Sequence, residues 1–518
     1  MRSLWTLTVF LGGLWIASLL YGELLAFWIP RNFQFSHANS FWQKFASTKL
    51  PPGERPLRIV LIADPQLTDR TSYGMDPRSL LLKIIQFYSD IYMRRAFRSS
   101  VLGLEPDEIL FLGDYFDGGP YLADDEWEES WKRFEHIFDQ TQRGLKSRKK
   151  IPTYYLCGNH DLGYHEVFSQ KPQIAQRYQK KFGETDFIHN IGSLDFVFVN
   201  SQALDGSRAD PFTNASWSFV EKVASSDRAA RPMVLMTHIP LFRPDNTPCG
   251  SDRASEVINQ MFLHSDCNST HLLFHRYQNY LTDGTSQKLL NLTKPVMVFS
   301  GHDHDQCKTV HATPEGFYPE YTVGTFSWQQ GNIYPSFMML SVPRSSSAMT
   351  DTIISERLCF LPAQDFNYAW YGVLFVISVL ALFFWPSQGI DLWQSFRSLY
   401  DALKAGSEGV KAKDEDAEWE MLWDAEGGMH LVKKSLPQTS VSSSQGSERR
   451  GNVIQRATAK SKASTVPDEV TDTDTSSNLS PSSRNRFRRR LVQMVGPLTV
   501  LATVNFSLYM MLVMKDWT

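Results

Sequence analysis

Apolar runs along residues 58–300 repeatedly stop at a side chain able to bind a cation. Arg58-Ile59-Val60-Leu61-Ile62-Ala63 runs into Asp64-Pro65-Gln66, and Glu108-Ile109-Leu110-Phe111-Leu112 into Gly113-Asp114-Tyr115-Phe116-Asp117. Thr153-Tyr154-Tyr155-Leu156 passes through Cys157-Gly158 to Asn159-His160-Asp161. Met233-Val234-Leu235-Met236 leads to Thr237-His238, and Val296-Met297-Val298-Phe299-Ser300 to Gly301-His302-Asp303-His304. Short, nearly continuous apolar runs bounded by turn residues are the pattern of strands buried on both faces. Helix-patterned stretches lie between them, notably 76–98, where Pro77 suits a first helical turn, and 124–142. Phe187-Ile188-His189 and Leu194-Asp195-Phe196-Val197-Phe198-Val199 read as the two arms of a hairpin. The alternation predicts an α/β domain over 57–345, a central sheet or two packed sheets with helices outside. In open α/β sheets ligands bind at the carboxyl ends of the strands, where these side chains stand.

Three longer apolar runs follow a different rule. Residues 3–22, 368–385 and 491–514 carry no charge and are long enough to cross a bilayer. The first lacks a small-x-small cleavage site, so 1–29 is expected to be an uncleaved signal anchor, with further spans at 366–385 and 491–514. Arg484, Arg486, Arg488, Arg489 and Arg490 precede the third run and should hold that side in the cytosol. Residues from about 30 to about 366 then face the lumen. Sequons at Asn214, Asn268 and Asn291 fall in that segment; Asn478, on the cytosolic side, would be inert. Residues 386–490 form the cytosolic loop, with helical patterning at 392–405 and 415–423, then a Ser/Thr-rich stretch at 435–483 too polar to order itself.

Composition narrows the classes a little further. A 518-residue chain with 42% hydrophobic and 21% charged residues is ordinary for a folded protein, and a net charge of −3 gives no electrostatic case for a nucleic-acid partner. Without a CxxC pair, a zinc ribbon or a thioredoxin-like redox site is set aside. Cys249 and Cys267 flank a loop-like stretch and could pair in an oxidising lumen, whereas Cys157 reads as a small buried residue. Residues 244–292 break the strand–helix rhythm. His264, His271 and His275 lie there, but none ends a strand, so each reads as an ordinary polar residue. The insertion falls between two ligand-bearing strands and is expected to cover the site.

Asp, Asn and His together offer hard oxygen and borderline nitrogen donors without thiolate, a set for manganese, iron or catalytic zinc. Asp114 stands mid-series, and a carboxylate bridges two cations well; two metals about 3.5–4 Å apart can bind phosphoryl oxygens and acidify water. The reaction class this points to is hydrolysis of a phosphate ester.

These residues resemble the ordered signature of the calcineurin-like metallophosphoesterases: D-x-H, G-D-x-x-D, G-N-H-D/E, H and G-H-x-H. The resemblance implies a four-layer α/β/β/α sandwich, here with flanking transmembrane helices. It places Asp64, Asp114 and His304 on a first metal and Asp114, Asn159, His238 and His302 on a second. His160 would stabilise the transition state or protonate the leaving oxygen, and Asp161 would orient it. Gln66 departs from the pattern, standing where the family usually has His; it offers at best an amide oxygen and could weaken the first metal or shift preference towards manganese.

The luminal placement, the spans, Ile62-Ala63-Asp64-Pro65-Gln66 and His238-Ile239-Pro240-Leu241-Phe242-Arg243 resemble the membrane-bound metallophosphoesterases of the endoplasmic reticulum that remodel glycosylphosphatidylinositol (GPI) anchors in fungi and animals. That implies a di-manganese phosphodiesterase removing an ethanolamine-phosphate branch from a mannose of the anchor glycan, its substrate a GPI-anchored protein or GPI glycolipid, before anchored proteins leave for the Golgi. The alternatives are a luminal phosphatase or nucleotide diesterase of the same fold, or a metal-binding sorting protein without activity. Residues 325–334 mix aromatics and amides and read either as a surface for stacking on sugars or as a loop with buried aromatics.

Overall fold

A computed structural model of the protein describes residues 2–27, 54–140, 150–225, 231–256, 262–263, 277–344, 354–385, 419–423, 429–433 and 481–517. The chain begins with helix α1 (Arg2–Leu20), continued by a π-helical turn, Tyr21–Leu25. The α/β region follows as β1 (Leu57–Ile62), α2 (Leu80–Ala96), β2 (Glu108–Phe111), α3 (Asp124–Ile137), β3 (Thr153–Tyr155) and α4 (Pro172–Phe182). It continues with β4 (Phe187–Ile191), β5 (Leu194–Phe198), α5 (Pro211–Ser225), β6 (Met233–Met236), α6 (Asp283–Thr293) and β7 (Met297–Ser300). Then come β8 (Cys307–Thr313), β9 (Gly316–Thr322), β10 (Ser336–Val342), β11 (Ser355–Phe360), α7 (Gln364–Phe384) and α8 (Pro481–Trp517).

Two compact units result. One comprises Met1–Val9 and Val379–Thr499, the other Phe10–Ser378 and Val500–Thr518. In the first, Trp385 Nε1 donates to Ser3 Oγ at 2.7 Å and Arg490 donates to the Phe383 carbonyl at 3.3 Å. The two large sheets lie in the second.

The sheets have strand orders β11-β10-β1-β2-β3 and β8-β9-β7-β6-β5-β4. Strands β1, β2 and β3 are parallel to one another, as are β5, β6 and β7. Period-two alternation sends neighbouring side chains to opposite faces. Thus Ile59 and Leu61 enter a core between the sheets, with Leu110, Phe196, Val234 and Phe299, while Val60 and Ile62 face Tyr92, Met93, Phe134 and Tyr178 from α2, α3 and α4. A third cluster joins Val197, Leu235 and Val298 to Trp217 and Val220 of α5 and Leu289 of α6. Each fully buried Leu, Ile, Val or Phe contributes roughly 1.5–3 kcal/mol relative to exposure. Helix, sheet, sheet, helix: the expected four-layer α/β/β/α sandwich is the fold.

Several boundaries differ from the sequence reading. Helix α2 starts after Ser79, whose hydroxyl caps the Leu82 amide at 3.5 Å, because Asp76 binds the Arg78 amide in a preceding turn and keeps Pro77 outside. Residues 283–293, inside the stretch that broke the rhythm, form α6, which begins at the capping Thr282. The domain does not end at 345: β11 extends the first sheet by pairing antiparallel with β10 and leads directly towards α7. Residues 419–423, expected to be helical, form a strand paired antiparallel with Met429–Lys433, whose backbone groups take up the hydrogen bonds a helix would have made internally. Cys249 pairs with Cys307 rather than with Cys267, because β8 brings Cys307 beside the start of the insertion. Cys267, Asn268 and the helical patterning at 392–405 lie outside the described residues, as do the three insertion histidines and most of 435–483. Helices apolar and long enough to cross a membrane cover Ser3–Leu25, Gln364–Phe384 and Phe487–Trp517.

Candidate metal centre

The turns after β1, β2, β3, β6 and β7 gather at one edge. Asp114, His238 and His302 present ligand atoms within 4.8 Å of one another, and so do Asp64, Asp114 and His304. Asp114 belongs to both groups, as a carboxylate bridging two cations would. Five of the eight non-glycine residues with positive φ among the described residues are Asp64, Gln66, Asp114, His302 and His304. Backbone held in this region costs of order 1–3 kcal/mol per residue and persists where surrounding structure imposes it, which is typical of ligand clamps.

Two glycines make the approach possible. A Cβ on Gly158 would sit 2.0 Å from Asp114 Oδ1, and one on Gly113, where φ is +101°, would sit 2.6 Å from His238 Nδ1. Backbone amides then fix the carboxylates. Asp64 accepts from the His302 amide at 3.0 Å, and Asp114 Oδ1 from the His160 amide at 2.8 Å.

The imidazoles are set by what lies behind them. His238 Nδ1 donates to the Leu112 carbonyl at 2.7 Å, so Nε2, 3.2 Å from Asp114 Oδ2 and 3.0 Å from Asn159 Oδ1, faces the centre. His302 Nε2 donates to the Gln278 carbonyl at 2.8 Å, which leaves Nδ1 as its ligand atom. Burial drives His302 down to about 3 and His304 down to about 4, so both rings stand neutral with lone pairs available at neutral pH. Burial, and then the Asp114 charge, push Asp64 up to about 8 against the pull of His238. Carboxylates this close and this buried need positive charge between them.

Two further atoms point the same way. Among the described residues, His304 Nε2 and Gln66 Oε1 are buried without a hydrogen-bond partner. Gln66 directs its amide nitrogen to Asp114 Oδ2 at 3.1 Å, so the substitution for His leaves a neutral oxygen donor rather than nothing. The donor set fits two divalent cations: Asp64, Asp114 and His304 would hold one, and Asp114, His238 and His302, with Asn159 Oδ1 beside His238 Nε2, would hold the other.

The roles expected of His160 and Asp161 separate here. Asp161 does not reach the His160 ring; it accepts from the backbone amides of Asp114 and Tyr115, both at 2.8 Å, and of Gly158 at 2.7 Å. A short side chain three residues into the turn is drawn to the bare amides around it, and so clips the β2 and β3 turns together. The His160 ring instead meets Asp117: Nδ1 donates to the Asp117 carbonyl and lies 3.6 Å from its carboxylate. Burial lowers the His160 pKa, but Asp114 and Asp117 outweigh it and the net direction is up. Asp117 was visible as the last residue of the 113–117 motif, whereas the Gln278 carbonyl carries no side-chain signal.

The segment 325–334 backs the centre. Thr325 donates its amide to the His304 carbonyl at 3.0 Å and its hydroxyl to the Asp64 carbonyl at 2.6 Å, while Asn332 Nδ2 reaches the His304 carbonyl at 2.9 Å. Phe326 is core; Ile333 and Tyr334 stay exposed. The insertion is anchored beside the same loop by the Cys249–Cys307 disulfide and by Arg253, which donates twice to Asp303 at 2.9 Å.

Residues 57–306 match the family model described as calcineurin-like phosphoesterase. The chain is 29% identical over 357 residues to cell division control protein 1 of Saccharomyces cerevisiae, covering 65% of this chain and 68% of that protein. It is 30% identical over 293 residues to metallophosphoesterase 1 of Danio rerio, covering 52% and 68%, and 25% identical over 378 residues to metallophosphoesterase 1 of Ailuropoda melanoleuca, covering 69% and 86%.

Proposed function

This chain belongs to the calcineurin-like phosphoesterase family, and from that premise we propose that it removes an ethanolamine-phosphate side branch from a mannose of GPI anchors. Its substrate would be a GPI-anchored protein or GPI glycolipid, and its place the endoplasmic-reticulum membrane, with the α/β domain in the lumen and manganese in the centre. The coarser activity, a metal-dependent phosphoesterase, is the premise. The observation that carries the finer reading is the union of two features: a donor set for two cations sharing Asp114, and an α/β domain flanked in sequence on both sides by helices apolar enough to cross a bilayer. A lipid-anchored glycan presents its phosphodiester close to the membrane, where such a domain would be held.

The chain's own residues supply the rest. When bound, divalent cations polarise the phosphoryl oxygens and lower the pKa of the attacking water. Asp161 keeps the Asp114 and Asn159 turns in register. With Nδ1 committed to Asp117, His160 presents Nε2 as the atom that can donate a proton to the leaving mannose oxygen or hydrogen-bond a phosphoryl oxygen. Its raised pKa, set against burial by Asp114 and Asp117, favours the proton-bearing form.

Mass spectrometry of anchor glycans from cells carrying Asn159→Ala in place of the normal protein tests the assignment. An extra ethanolamine phosphate accumulating on one mannose is the expected result. Unchanged glycans, with the variant expressed and membrane-bound, would move the substrate to other luminal phosphodiesters.

A further inference from the structure

A buried charge cluster remains that the metal centre does not use. Within the unit holding both sheets, Glu23 lies in the π-helical turn at the end of the first apolar helix, its side chain 1% exposed. Ionisable residues inside membrane segments are costly and carry a function by default. The partner of Glu23 is Arg95 of α2, also buried at 4% exposure, which donates to Glu23, to Asp516 at 2.6 Å and to the Leu512 carbonyl at 3.2 Å. Arg94 beside it donates to the Asp516 carbonyl at 2.7 Å. Tyr371 of α7 closes the cluster, donating to Glu23 at 3.1 Å. One helix of the α/β domain thus grips all three membrane-type helices.

Local geometry is shaped for this grip. A π-turn inserts an extra residue into a helix and is frequent at functional positions. Here it includes Gly22, where a Cβ would stand 2.1 Å from the Tyr371 hydroxyl, so any larger residue must displace the hydroxyl that donates to Glu23. Aromatic contacts reinforce the joint: Phe87 against Trp517 at 5.0 Å and Tyr88 against Tyr368 at 6.2 Å.

The joint also reaches the metal centre. Tyr368, on the first turns of α7, packs against Trp328 at 5.6 Å. Trp328 belongs to the segment whose Thr325 and Asn332 hold the His304 and Asp64 backbones. On the other side, α2 meets the same segment through Thr68: Gln86 donates to the Thr68 carbonyl at 3.1 Å, and the Thr68 hydroxyl donates to Gln329 at 2.5 Å. The loop behind the ligands is therefore gripped between α2 and the head of α7, both fixed by the Glu23–Arg95 cluster.

We infer that Glu23, Arg95 and Asp516 form a positioning device that fixes the metal centre at a set height above the bilayer and so confers preference for phosphodiesters carried on a membrane lipid over the same diester free in water. This deepens the proposed function and rests on it only in taking the substrate to be membrane-borne. Arg95 is a positioning residue: it touches no ligand of the centre. A rigid joint holds the centre where a lipid-borne diester already lies, whereas a loosened joint must pay the orientation cost at each encounter.

The test uses full-length protein in phosphatidylcholine vesicles and a p-nitrophenyl phosphodiester in two forms, one with a methyl group and soluble, one carried on a dialkylglycerol lipid. The double variant Glu23→Gln/Arg95→Gln removes the two fully buried charges together and leaves Asp516, which is 27% exposed, to be solvated by water. Expected are a wild-type preference for the lipid-borne form, and a variant whose rate on that form falls on the order of tenfold to a hundredfold while the soluble rate stays within about twofold. Gly22→Ala, which pushes the Tyr371 hydroxyl off Glu23 with all charges kept, should lower the same preference and carries the test if the double variant does not fold. Equal losses on both substrates would make the cluster a folding element; an unchanged preference, or none in the wild type, would also overturn the inference. Because neither probe contains a glycan, these outcomes are independent of whether GPI anchors are the substrate, which the glycan spectra decide.

Discussion

Two regions of this molecule bury acids, and they do so in opposite ways. At the joint, Glu23 and Asp516 surround Arg95, and a tyrosine and a backbone carbonyl complete the set. At the strand ends, Asp64 and Asp114 are as buried as Glu23, and more so than Asp516, yet no arginine or lysine is among their hydrogen-bond partners in the described residues; they face imidazoles and backbone amides instead. The first cluster is closed by charge supplied from the chain. The second is built to receive charge from outside, and it holds the backbone at positive φ to do so. Burial of a carboxylate is thus no sign of a site by itself; what marks a site is burial whose compensation is missing from the chain. Asp303 makes the same point within one loop: flanked by His302 and His304, it is closed by Arg243 and Arg253 and belongs with the joint.

This contrast breaks first at His160. Replacing it with Gln should lower kcat by about 10²–10⁴-fold, the usual range for a positioned proton donor, with metal content and thermal midpoint unchanged. Loss of metal together with activity would mean that the ring serves the open cluster's structure instead. A smaller effect is expected at Glu320, a closed acid whose partners are Arg243, His311, Ser300 and the Leu241 amide. Burial would raise its pKa, but Arg243 and His311 outweigh it and the net direction is down. A depressed carboxylate adds stability that is full above its unfolded value of 4.5 and is lost as pH falls through the lower folded value. Unfolding free energies of wild type and Glu320→Gln, measured by denaturant titration from pH 7 downwards, should therefore converge below about pH 4.5 after differing by about 1–3 kcal/mol near neutrality. A constant difference across that window would show that Glu320 is not held ionised by its partners.

Much of the fold was legible because buried strands announce themselves. Val60 and Ile62 against Ile59 and Leu61 are apolar on both faces, and a polar metal-type residue ends each run. The donors that meet at the edge were legible for the same reason, since a strand end is fixed in space by its sheet. What stayed hidden was set by partners remote in sequence. Cys249 could be paired with Cys307 only once β8 was placed, and β11, short and half-buried, has too little pattern to stand out beyond residue 345. That Asp161 accepts from the amides of Asp114, Tyr115 and Gly158 was hidden too, because a turn sequence does not show which bare amides will lie opposite its side chain. The pairing of Glu23 with Arg95 was hidden likewise, since the two are 72 residues apart and meet only once α2 is placed.

The central claim is that Asp114 is shared by two cations. Metal analysis of the purified full-length protein, wild type and Asp114→Asn, tests it most directly. Two divalent ions per chain are expected in the wild type, and in the variant at most one, with phosphodiesterase activity lost. A wild type that is fully active with a single ion, or an Asp114→Asn protein that keeps both, would contradict the account.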